Sequence, residues 1–114
     1  MIVSGIIDES PPFLEDRNFS PCYLPDIRKS FPKDYPCIYG LCSFAAYTES
    51  VIYINSCDDL LKTVAADLLQ PAIARFNPTY LVVKSRPSGS PEQQAARADE
   101  TDRYREKYQP LVRD

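Results

Sequence analysis

The chain has 114 residues, which is room for one domain. Thirteen basic against sixteen acidic side chains leave a formal charge of −3, and apolar types make up 44%, as in an ordinary globular domain. Histidine is absent, so histidine acid–base catalysis, Ser-His-Asp and Cys-His nucleophiles and His-ligated metal sites are all excluded.

Prolines at 11, 12, 21, 25, 32 and 36 punctuate the first 36 residues. Each removes a backbone donor and restricts its predecessor, so long regular elements are not expected there. Apolar anchors recur through the stretch at Phe13, Phe19, Tyr23, Leu24, Ile27, Phe31 and Tyr35. They predict an arm over residues 1–35 that packs on the core, with a short helix around 26–30. The acidic opening, with Asp8 and Glu9, lacks the basic region of a signal peptide, so the expected compartment is the cytoplasm. Apolar runs such as Leu81-Val82-Val83 fall far short of the ~20 residues of a membrane span, so no membrane partner is expected.

Residues 37–45 are apolar and strand-like, a polar turn follows at 47–50, and Val51-Ile52-Tyr53-Ile54 is a second strand. The pair reads as a hairpin. Asn55, Ser56 and Asp58 then offer capping side chains. A helix is predicted over 58–70, where Leu60, Leu61, Val64, Ala65, Leu68 and Leu69 form one apolar stripe that Pro71 ends. Residues 79–84 form a third strand and 86–91 a loop. A second helix runs over 92–109, with Glu100, Tyr104 and Tyr108 on one face, and stops at Pro110. The fold class is α/β (α+β): a small three-stranded, mainly antiparallel sheet flanked by helices, occupying residues 36–114.

Four cysteines stand at 22, 37, 42 and 57. Two disulfides are open on count alone, but the expected compartment favours reduced, buried thiols. A zinc knuckle lacks its short spacing, and Cys37 and Cys42 lie an odd number of residues apart in one strand, so they face opposite sides. Cys57, before the helix, is a candidate reactive thiol.

Cys37-Ile38-Tyr39 and Tyr53-Ile54-Asn55 resemble the paired tripeptides of the GIY-YIG endonuclease domain. The order of strands and helices over residues 35–114 is similar to that family's. Tyr23-Leu24-Pro25 resembles the leucine-proline approach of small stand-alone members. Glu106 to Pro110 resembles the tail of the nuclease domain in the excision-repair subunit UvrC. The resemblance implies metal-assisted phosphodiester hydrolysis. Tyr39 would orient or deprotonate water with Tyr53 beside it, and Glu100 would hold Mg²⁺. Both motif glycines are replaced, and Thr63 stands where the family carries its arginine. Losing that cation removes orders of magnitude in rate.

The expectation is therefore a catalytically degenerate GIY-YIG-like domain, without cofactor, that binds a protein or nucleic acid. One alternative is an active Mg²⁺-dependent endonuclease in which Lys62, Arg75 or Arg97 replaces the arginine. Another is an acidic regulator of a nucleic-acid-handling protein, and a homodimer fits either state. Arg97, Arg103, Arg105, Lys107 and Arg113 are interleaved with Glu92, Asp99, Glu100, Asp102 and Glu106, which reads as a solvated mixed-charge helix rather than a phosphate-binding face.

Overall fold

The computed structural model describes residues 19–45 and 48–113. Residues 1–18, the first half of the expected arm, lie outside the described residues. Strand β1 (Ser20–Tyr23) leads through a 3₁₀ turn (Leu24–Asp26) into the one-turn helix α1 (Ile27–Ser30). The hairpin follows as β2 (Cys37–Ala45) and β3 (Thr48–Cys57). Then come α2 (Leu60–Asp67), α3 (Pro71–Ala74), β4 (Tyr80–Ser85) and α4 (Pro91–Tyr108). The fold is α+β, with one antiparallel sheet in the order β1-β4-β2-β3.

The sheet has four strands where three were expected. The fourth comes from the stretch read as an arm: Ser20–Tyr23 pairs with Val83–Tyr80. Pro21 obscured it, because proline argues against a strand. β1 is an edge strand, however, where a missing N–H can face outward. The short helix expected at 26–30 is present as the turn and α1 together. Of the turn expected at 47–50, residues 48–50 belong to β3, which begins at Thr48, and residue 47 lies outside the described residues.

Central strand β2 is buried on both sides. Cys37, Tyr39 and Leu41 enter one cluster with Ile52, Leu60, Val64 and Ile73, here called the first face. Cys42 enters the other with Phe19, Val51, Ile54 and Val82, the second face. The opposed orientation of Cys37 and Cys42 is thus as the spacing predicts. A register shift opposite Leu41 and Cys42 leaves Ile52 as an extra residue in β3. This bulge lets Ile52 and Tyr53 both address the first face while Val51 and Ile54 address the second.

Helix α2 starts at Asp59, whose carboxylate accepts from the Lys62 N–H at 3.4 Å. It ends at Asp67, earlier than expected. Pro71 holds Gln70 extended (φ −81°, ψ 124°) and opens α3 instead of merely stopping α2. The chain turns out of the stripe as a result, and Leu69 is 84% exposed. Ser90 caps α4 by accepting from the Gln93 N–H at 3.1 Å, and Gln109 closes it in the left-handed region (φ 49°).

The far edge of the sheet is covered. Leu111 N–H donates to Val51 O at 3.0 Å and Val112 N–H to Ile52 O at 2.8 Å, so the tail forms a parallel bridge beside Tyr53. Arg105 Nε donates to Ile54 O at 3.0 Å and Arg97 Nη1 to Cys57 O at 2.8 Å. Carbonyls that would otherwise template another strand are satisfied from within the chain. Among the described residues, no helix is long and apolar enough to cross a membrane. Deleting residues 110–114 should lower the melting midpoint by several degrees and produce association that grows with concentration in light scattering. An unchanged, monodisperse truncation would show that the tail does not protect this edge.

Candidate functional site

Tyr39 and Tyr53 share the first face, as the resemblance implies, but their surroundings differ. Tyr39 is fully buried and its hydroxyl donates to Asp67 Oδ2, which hangs from the last turn of α2. Burial first, and then the Asp67 bond, push the Tyr39 hydroxyl far above the ordinary tyrosine range. A phenol so held keeps its proton and is no base. Burial also raises the Asp67 carboxyl, against the opposing pull of the Tyr39 hydrogen bond. Tyr53 is half-buried at the sheet edge, and its hydroxyl accepts from Asn55 Nδ2 at 3.2 Å. Arg105 reaches the same asparagine, donating from Nη2 to Oδ1 at 3.2 Å.

Glu100 lies across the sheet from both tyrosines. Its carboxylate receives Lys84 Nζ at 2.7 Å and Arg86 Nε at 2.7 Å, with Tyr104 donating at 3.2 Å. Burial alone would raise this carboxyl, but the bonds from Arg86 and Lys84 outweigh it and hold it down to about 2. A metal ligand and a water-orienting group must meet at one phosphate. The structure brings Tyr39 and Tyr53 to one face and does not bring Glu100 to them. Among the described residues no group of three acidic or sulfur side chains is placed to hold a metal ion.

The cations considered as substitutes for the missing arginine are engaged elsewhere or lie away from the tyrosines. Arg97 bonds Cys57 O and lies 3.1 Å from Asp58. Arg75 stacks over the Phe76 ring at 4.7 Å. Lys62 is exposed on α2, and Thr63 is half-buried. Of the basic residues on and after α4, Arg97, Arg105 and Arg113 bond backbone carbonyls of β3 or α4.

On the first face, a cleft of about 840 Å³ lies between α1 and α2. Its apolar lining comes from Leu24, Ile27, Phe31, Leu61, Val64 and Leu68. Arg28, Lys33 and Lys62 also line it, against one acidic side chain, Asp59. The apolar stripe of α2 is not buried as a whole. Leu60 and Val64 meet the sheet, while Leu61 is only half-buried and Ala65 is exposed, and both border the cleft.

Two functional-looking groups were missed from sequence, namely Asp67 and Lys84. Both sit in phase with apolar neighbours, Asp67 seven residues after Leu60 and Lys84 two after Val82. A charge on an apolar period was the available signal.

No family model matches the chain, and no curated protein or solved structure matches it.

Removing the Glu100 carboxylate strands the Lys84 ammonium, so Glu100→Ala should lose about 3 kcal/mol at neutral pH in denaturant unfolding. The folded carboxyl titrates below its ordinary 4.5, so its contribution is complete above that value and disappears as pH falls toward 2. The gap between parent and variant should therefore close over that interval, and a pH-independent gap would contradict the ion-pair account.

Asp67 carries the opposite sign. Its raised carboxyl stabilises the fold when protonated, and that stability is lost as pH rises through the raised value. Asp67→Asn should flatten the pH dependence and melt no lower than the parent at pH ~7. Tyr39→Phe, which leaves the buried carboxyl without its donor, should lose about 1–3 kcal/mol in unfolding measurements.

Proposed function

We propose that the chain is a non-catalytic binding module that holds an acidic, amphipathic segment of a partner protein in the cleft between α1 and α2. The observation that carries this reading is the cleft itself: an apolar floor with three cations among its lining side chains and one anion. The whole chain carries −3, so this positive lining runs against the overall charge. Apolar side chains of a partner would supply burial, and its carboxylates would meet Arg28, Lys33 and Lys62.

The GIY-YIG-like motif fits this reading as an inherited frame whose tyrosines now pack. A protein partner is preferred to nucleic acid, because the floor is aliphatic and two of the α4 arginines, Arg97 and Arg105, bond the chain's own carbonyls. Phosphate-dominated binding needs free cations in number.

A fluorescent acidic amphipathic helix of leucine and glutamate, its lysine counterpart and a DNA duplex are the probes. Anisotropy should rise with the acidic peptide only. The double substitution Arg28→Glu and Lys62→Glu should weaken that binding at least about tenfold, roughly 1.4 kcal/mol, with no change in melting midpoint. Binding of the lysine peptide to the same degree, or of DNA alone, would overturn the reading.

A further inference from the structure

We propose that Cys37 and Cys57 form a dithiol site that small peroxides oxidise to a reversible disulfide. The two residues are direct partners across the β2–β3 ladder, and their Sγ atoms lie 3.8 Å apart. Opposed residues in an antiparallel pair have Cα atoms about 4.5–5.5 Å apart, inside the range of about 4.4–6.8 Å that a disulfide accepts. Side-chain rotation therefore closes the bond without moving the strands.

The pair is also chemically unequal. Cys57 stands at the end of β3, just before the Asp59 cap of α2, and is 8% exposed, whereas Cys37 is fully buried. The hydrogen bond from Cys37, the Thr63 side chain and the charge of Arg97 hold the Cys57 thiol below its ordinary range. The same pairing, together with burial, pushes Cys37 up. Cys57 is the nucleophile and Cys37 the resolving thiol. Cys42 lies on the other face, and burial pushes it up. Cys22 lies in β1, separated from β2 by β4.

The chemistry balances. The Cys57 thiolate attacks one peroxide oxygen, the O–O bond breaks, and hydroxide leaves and takes up a proton to give water. Cys57 is then a sulfenic acid. The Cys37 sulfur attacks it, the S–S bond forms, the S–O bond breaks, and the departing hydroxide leaves as water with the Cys37 proton. Two thiols are oxidised and one peroxide is reduced to two waters.

The test exposes the reduced, full chain to hydrogen peroxide, alkylates it in denaturant and maps the peptides. Two of the four thiols should escape alkylation, the mass should fall by two hydrogens, and the linked peptides should be those of Cys37 and Cys57. Dithiothreitol should restore all four. In Cys37→Ser, dimedone should trap a sulfenic acid on Cys57, and Cys42→Ser should leave the pairing intact. The wild-type map decides even where a variant folds poorly. Linkage through Cys22 or Cys42, disulfide-joined dimers, or four alkylated thiols after peroxide would overturn the proposal.

Discussion

The ammonium group of Lys84 sits inside the sheet's second face and governs how α4 is placed. Its side chain is 8% exposed and meets Glu100 at 2.7 Å, the Tyr104 hydroxyl and the rings of Phe19 and Tyr104. An uncompensated charge there would cost several kcal/mol, so the helix must deliver its carboxylate to that point. Hydrophobic burial could not do this alone. Over its eighteen residues α4 buries only Thr101, with Tyr104 and Tyr108 partly covered. Its register is set by polar matching: Glu100 to Lys84 and Arg86, Arg97 to the end of β3, Arg105 to Ile54 O.

That placement has a chemical consequence. The carboxylate that the family resemblance assigns to a metal is neutralised by two cations, and the sheet stands between it and both tyrosines. Tyr39, the residue assigned to water, gives its proton to a buried aspartate's hydrogen bond. Two motif positions thus serve the core on opposite faces, Tyr39 through α2 and Glu100 through α4. Hydrolysis would need these groups at one phosphate, whereas binding needs only a stable frame. The reading of the chain as a binding module follows from that difference.

Helix α2 organises what is left open on the first face. Its apolar stripe is wider than the part the sheet covers, so Leu60 and Val64 enter the core while Leu61 and Leu68 line a cleft. Its first turns bring Thr63 to the Cys37–Cys57 pair, which Arg97 reaches from α4. The proposed peptide cleft and the proposed dithiol therefore both adjoin one short helix.

Local pattern determined much of this protein. The hairpin of β2 and β3, the helix α2 with Leu60 and Val64 inward, the span of α4 and the opposed directions of Cys37 and Cys42 were all legible, because alternation and helical period depend on near neighbours in sequence. Only the tertiary structure decided the remainder. Ser20–Tyr23 becomes a strand because β4 offers an edge that tolerates Pro21. Leu69 leaves the core because Pro71 redirects the chain. Lys84 and Glu100, sixteen residues apart, meet because a helix crosses a sheet. Cys37 and Cys57 meet because a ladder register, with its bulge at Ile52, brings residues twenty apart face to face. Apart from the local redirection at Pro71, these depend on which distant groups meet across the sheet, and local periodicity carries no information about that.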